Sequence, residues 1–233
     1  VEKILETRIK KLLAPQRRKS FSILGCVTEA IAKDGTLRKD GIIDRFGEEI
    51  IDFIFNVSHE NAPELELIYE DAGLNHQNLA STRKAATARL KLIERLKLRN
   101  VPIGGFGDTA QITIKDWNKA RWFYSELEDL GLNLHLTEFQ TRYMEEEKRR
   151  INVTADRWRT ESSLTYAQYL RFFNSFKAAK SVTFWTPFES WNSILHGFGN
   201  FTYANQPNAR VGLFDINYKP NQTFFDIVEA LEA

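Results

Sequence analysis

The stretch Gly131-Leu-Asn-Leu-His-Leu-Thr-Glu-Phe-Gln140 decides the fold. It follows a run of helical spacing from Lys115 to Leu130, and glycine is the residue that most readily takes the left-handed backbone with which helices stop. Leu132 to Thr137 is then a short apolar-rich run of strand length. The run closes on Glu138, a carboxylate that burial would penalise unless a partner, water or a chemical task accounts for it. A helix that stops at glycine and feeds a buried strand is one unit of a parallel α/β fold. In such folds the residues just past the C-terminal ends of strands line the site.

The same alternation recurs on both sides. Upstream, an opening amphipathic helix with Ile4, Ile9, Leu12 and Leu13 breaks at Ala14-Pro15, and Ser20 to Val27 reads as a strand. Gly41 to His59 is predicted as a helix facing a core through Ile43, Phe46, Ile50, Phe53 and Ile54. Glu64 to Tyr69 reads as a strand, Leu79 to Asn100 as a long helix, and Gly104 to Gly107 as a very short strand. Downstream come a helix over Leu164 to Ala179, a strand over Ser181 to Trp185 and a final helix over Gln222 to Leu231. Strands alternating with helices of this length imply a parallel sheet with right-handed crossovers. An open doubly wound sheet and part of a TIM barrel both satisfy the pattern. Gly104-Gly-Phe-Gly107 lacks the spacing of a phosphate-cradling loop, so a nucleotide is not expected.

Composition narrows the function. The chain has 233 residues, 42% of them hydrophobic, enough to bury a sizeable core. Its 32 basic and 31 acidic residues leave a net charge of +1, which offers no electrostatic grip on nucleic acid. No apolar run approaches the roughly 20 residues of a membrane span. Cys26 is the single cysteine and is expected to pack rather than react. His59, His76, His135 and His196 have no ligand spacing, so neither a metal nor another cofactor is expected, and His135 reads as a satisfied histidine near the sheet. Sequons at Asn56, Asn152, Asn200 and Asn221 fit an extracellular or secretory-pathway protein. The chain opens on Val1 directly in a helical pattern, which reads as continuing from a longer polypeptide.

A second strand ends like the first. Ile-Leu-Gly-Cys-Val-Thr runs into Glu29 as Leu-Asn-Leu-His-Leu-Thr runs into Glu138, so two strands close on Thr-Glu. Two carboxylates facing one cleft are what glycoside hydrolysis needs: one protonates the leaving oxygen, and the other attacks the anomeric carbon or activates water. Their separation decides between these routes, about 5 to 5.5 Å implying a retaining, covalent one.

The order of motifs around these glutamates resembles the family 10 glycoside hydrolases, mostly endo-β-1,4-xylanases built as TIM barrels. Cys26-Val-Thr-Glu-Ala and Asp34-Gly-Thr-Leu-Arg38 are similar to the family's acid/base segment, and His135-Leu-Thr-Glu-Phe to its nucleophile segment. Asn100-Val-Pro-Ile-Gly-Gly-Phe-Gly107, Val182-Thr-Phe-Trp185, Ser190-Trp191 and Gly212-Leu-Phe-Asp-Ile-Asn-Tyr-Lys-Pro220 resemble later pieces in the right order. The resemblance spans residues 1–233. It implies that Glu29 is the acid/base and Glu138 the nucleophile of a retaining enzyme acting on a xylan-like polysaccharide. It also implies that this chain is the C-terminal part of one barrel, carrying strands four to eight, with strands one to three expected upstream of residue 1.

Against the family's pattern, Thr28 replaces an asparagine that bonds the sugar 2-hydroxyl. Gln111 and Gln140 replace a histidine and an aspartate that form a hydrogen-bonded chain to the nucleophile. In Tyr69-Glu-Asp-Ala-Gly the strand-five motif keeps only Asp71. Thr28, Asp71, Gln111 and Gln140 are therefore the expected substrate-side residues, joined by Trp185 and Trp191 as faces on which a pyranose can stack. Those replacements also open an alternative, a catalytically impaired relative serving as a carbohydrate-binding or structural assembly component.

Overall fold

The computed structural model describes residues 1–72, 79–113, 120–142, 155–185, 187–188, 212–215 and 217–232, without the side chains of 79–82, 111, 113, 141–142 and 155–162. Helices α1 (Glu2–Leu12) and α2 (Pro15–Arg18) precede β1 (Ile23–Thr28), after which come α3 (Gly41–Phe46), α4 (Glu49–Asn61) and β2 (Glu66–Asp71). Then follow α5 (Leu79–Leu98), β3 (Gly105–Asp108), β4 (Gln111–Thr113), α6 (Arg121–Asp129) and β5 (Asn133–Arg142). Helix α7 (Ala155–Asn174), β6 (Ala179–Phe184) and α8 (Gln222–Glu232) complete the order.

Every pairing between these strands is parallel: β1 with β2, β2 with β3, β3 and β4 with β5, and β5 with β6. The strands thus lie side by side in the order in which the chain makes them. A doubly wound sheet reverses its order at a switch point, whereas a barrel does not. The two architectures that the periodicity left open are separated by this order.

Strands β3 and β4 are one barrel strand in two pieces. Gly105 to Asp108 pair with Asn133 to Leu136, and Gln111 to Thr113 pair with Gln140 to Arg142, so the lower and upper halves of β5 have different partners. The helix expected over Gly41 to His59 is likewise broken. Gly47, with φ 70°, ends α3 in left-handed backbone before α4 begins. Gly131 plays the part read for it, at φ 72° between α6 and β5.

The sheet has two unlike faces. Leu67, Tyr69, Phe106, Leu134, Leu136 and Phe139 point to the helices and are buried with Phe123 and Tyr124 of α6 and Phe173 of α7. The opposite face carries Glu66, Ile68, Glu70, Asn133, His135 and Thr137, interleaved with glycines. A Cβ on Gly105 would lie 2.9 Å from both Glu66 and Ile68, and one on Gly107 would lie 2.8 Å from Thr137. Glycine is needed there because the interior of a small barrel is filled by the larger neighbours' side chains. His135 is a satisfied interior histidine, as read: it is buried, with Nδ1 2.8 Å from Ser181 Oγ and Nε2 3.3 Å from Glu66 Oε1.

Candidate active site

Both strands that lead into a Thr-Glu pair are irregular near the glutamate. In β1 the register with β2 slips between Gly25 and Val27. In β5 the register with β6 slips between Leu136 and Phe139, so three steps on β5 match two on β6. Each slip is a bulge, which adds a residue and re-aims the side chains that follow. On β5 it returns Phe139 to the helix side, as Leu136 was, and leaves Thr137 and Glu138 between them.

Glu29 sits one residue beyond β1. Its φ of 52° is left-handed, a conformation that costs a residue with a Cβ about 1–2 kcal/mol and persists only where surroundings enforce it. Its N–H donates to the Glu70 carbonyl at 2.8 Å. Its carboxylate accepts from Arg38 Nη1 at 3.1 Å, and Arg38 is itself held by Asp40 at 2.8 and 2.6 Å. Beside Glu29 opens a cleft of about 670 Å³, bordered also by Arg38, Asp40, Asp71, Arg89 and Thr109.

The other expected residues are placed as follows. The Thr28 hydroxyl donates to Glu70 Oε2 at 3.1 Å. Gln111 and Gln140 are opposite one another in register, with Gln140 buried and the Gln111 side chain outside the described residues. Glu138 is partly exposed on β5. Trp185, 48% exposed, follows β6 and donates its backbone N–H to Phe139 at 3.3 Å. Trp191 lies outside the described residues, as do Ser190 and the run Met144 to Arg150.

Asp71 differs from its expected role. Although it borders the cleft, it is 1% exposed and engaged on the protein side: Oδ1 lies 2.7 Å from Arg89 Nε and accepts from Ala72 N–H at 2.7 Å. Oδ2 accepts from the Tyr69 hydroxyl and from Ile31 N–H, the latter at 3.3 Å. Burial pushes the Asp71 carboxyl up, against the pull of Arg89, and raises the Tyr69 hydroxyl well above its ordinary value. The reason for the difference is the pleat: Leu67, Tyr69 and Asp71 share the helix-facing side of β2, while Glu70 takes the interior side. Glu70 was missed by sequence reading, although its position two residues after inward Ile68 was a usable signal. Cys26 packs as expected, and burial pushes its thiol up to about 12.

The glycosyl hydrolase family 10 model matches residues 1–230. This chain belongs to glycosyl hydrolase family 10. A beta-1,4-xylanase of Dictyoglomus thermophilum is 26% identical, across 97% of this chain and 62% of that protein. Endo-1,4-beta-xylanase B of Thermotoga neapolitana is 25% identical, across 98% and 61%. The chain thus spans about three fifths of the length of these family 10 relatives. Native xylanase 10B of Thermotoga maritima superposes with a TM-score of 0.78 at 23% identity, over 99% of this chain and 66% of that one. Xylanase 10B of Thermotoga petrophila, solved with xylobiose, superposes with a TM-score of 0.76 at 22% identity, over 99% and 64%. The in-order parallel sheet is accordingly a stretch of a TIM barrel. Among the described residues no group of three or more His, Cys, Asp or Glu could hold a metal, and no helix is long and apolar enough to cross a membrane.

Proposed function

We propose that this chain carries the catalytic pair of a retaining β-glycoside hydrolase that cleaves a β-linked, xylan-like polysaccharide outside the cell. The observation that carries the reading is the matched placement of Glu29 and Glu138. Each follows a threonine on a strand of the same sheet, Glu29 one residue past β1 and Glu138 within β5, and the register of each strand slips close by. The two strands are separated by β2 and β3. Barrel curvature turns that arc into a shorter chord, which the two side chains of this reading would have to span to meet one sugar.

In the first step a Glu138 carboxylate oxygen attacks the anomeric carbon as the glycosidic C–O bond breaks, and Glu29 gives its proton to the departing oxygen. In the second, Glu29 takes a proton from water, whose oxygen attacks the same carbon and breaks its ester bond to Glu138. Both carboxyl groups return to their starting states. The xylanase relatives and the xylobiose held by the Thermotoga petrophila structure support a xylan-like substrate. Exposed Trp185 supplies a stacking face at the rim.

The barrel closes, in this reading, with three further strands supplied by an upstream segment of the same polypeptide. Strands β1 and β6 each pair with one described neighbour, and a sheet edge left open in water invites association with other chains. A second reading, a carbohydrate-binding or assembly component without turnover, is favoured by glutamines at the opposed positions 111 and 140 and by the Thr28 hydroxyl, which is given to Glu70.

The complete polypeptide, assayed on xylan and on aryl β-xylosides beside Glu138→Ala, separates the two. Turnover is expected to fall by at least about 10³-fold in the variant, since the attacking group is gone. Wild type that binds xylan but yields no more product than Glu138→Ala establishes the second reading instead.

A further inference from the structure

Regular sheet pairing stops one residue short of Glu29. The β1–β2 ladder ends at Thr28 opposite Glu70, and Glu29 then turns left-handed. Three contacts hold the chain around that turn, and all come from the last two residues of β2. The Glu29 N–H goes to the Glu70 carbonyl, the Thr28 hydroxyl to the Glu70 carboxylate, and the Ile31 N–H to Asp71 Oδ2. Where the ladder runs out of backbone acceptors, the Asp71 side chain stands in for one. Asp71 has little freedom to move. Arg89 reaches it from α5, 5% exposed and 2.7 Å away, while the Tyr69 hydroxyl of β2 and the N–H of Ala72, one residue past β2, fix its two oxygens. Beyond Ile31 the loop folds back, with Arg38 N–H donating to Ala30 at 2.9 Å, which delivers the Arg38 guanidinium to the Glu29 carboxylate.

We propose that Asp71, locked by Arg89 and Tyr69, is the positioning residue of Glu29: it pins Ile31 and thereby keeps Glu29 in the left-handed turn that aims its carboxyl group at the cleft. The inference rests on the reading of Glu29 as acid/base. Without the Ile31 contact the turn relaxes toward ordinary backbone and the carboxyl group swings away, while Glu138, on another strand, keeps its place. Only the proton-transfer half of the chemistry is then lost.

Two substrates that differ in their need for a proton make the distinction. Xylan leaves as an alkoxide that must be protonated, whereas the phenolate of 2,4-dinitrophenyl β-xylobioside leaves unaided. In the complete polypeptide, Asp71→Asn is expected to lower kcat on xylan by about 10²-fold, the scale of a misplaced catalytic group. The dinitrophenolate burst that reports attack by Glu138 is expected to stay within about threefold of wild type. Azide, a nucleophile that needs no base, is expected to restore turnover of the aryl glycoside. Tyr69→Phe removes one hydroxyl, keeps the ion pair, and is expected to show the same pattern in smaller measure; it carries the test should Asp71→Asn fail to fold by circular dichroism. Equal losses on both substrates, unrelieved by azide, overturn the positioning role if Glu29→Ala still shows the azide-rescued signature of a missing acid/base. A Glu29→Ala protein that behaves as wild type on both substrates takes down the reading of Glu29 and this inference with it.

Discussion

Glu29 and Glu138 close similar stretches of sequence, yet the chain beside each is built differently. Around Glu29 the hold is polar: a left-handed turn clamped by Glu70, Asp71 and Arg38 next to an open cleft. Beside Glu138 the strand itself is packed among aromatic rings. The next residue, Phe139, is 1% exposed and meets Tyr166, Tyr169 and Phe184 at ring distances of 5.1, 5.5 and 5.5 Å. In the proposed reading, close packing of the strand beside Glu138 fixes the attacking group, and a polar clamp beside an open cleft leaves the acid/base within reach of both leaving group and water.

The largest way to break this contrast is Phe139→Ala. Removing a buried ring from that cluster is expected to cost about 3–5 kcal/mol in denaturant unfolding. Covalent trapping of Glu138 by a 2-fluoro xyloside is expected to slow with it. Unchanged trapping in a destabilised protein would mean that packing does not position the nucleophile. On the polar side, a Cβ at Gly25 would lie 2.4 Å from Glu70 Oε2. In Gly25→Ala the flexible Glu70 side chain yields and the Thr28 bond is lost, an expected cost of about 1 kcal/mol. A rise in KM for xylan larger than the stability change would show that Glu70 faces substrate.

The smallest effect lies far from both glutamates, where Arg95 of α5 and Arg99 just beyond it bind Glu48, and Arg99 also binds Asp52 of α4. Burial pushes Glu48 up, but the hydrogen bonds from Arg95 and Arg99 outweigh it and hold the carboxyl below its ordinary 4.5. A depressed carboxyl contributes stability above its unfolded pKa and loses it as pH falls through the folded one. Glu48→Gln is therefore expected to cost at most about 1 kcal/mol at pH 7, with the difference closing in acid and shrinking in high salt. Melting curves across pH check this, and a difference that persists below pH 3 would assign the loss to packing instead.

Much of this architecture was legible in the sequence because the helix-facing side obeys simple periodicities. Leu134 and Leu136 alternate with Asn133 and His135 as a strand should, and Gly131 stops the preceding helix. What stayed hidden depends on contacts distant along the chain. The apolar run at Leu132 to Thr137 gives no sign that β5 continues to Arg142, since the bulge at Thr137 and Glu138 interrupts the alternation without ending the pairing. Gly47 was visible as a residue, but the helical pattern runs across it. At the site, the expected strand ends singled out Glu29, which lies one residue past β1, and Glu138, which lies within β5. They could not show that Asp71 turns away toward Arg89, a partner one helix further on, while its neighbour Glu70 takes the inward place.

The divided strand has a consequence for how the barrel breathes. Strand β3 is flanked by β2 and β5 and is wholly buried, whereas β4 pairs, among the described residues, with β5 alone. Amide hydrogens of Phe106 and Gly107 should then exchange with solvent only on global unfolding, while those of β4 should open on their own. One barrel strand is in this way expected to be rigid at its base and yielding at its rim, so that the wall at position 111 can move without loosening the core beneath it.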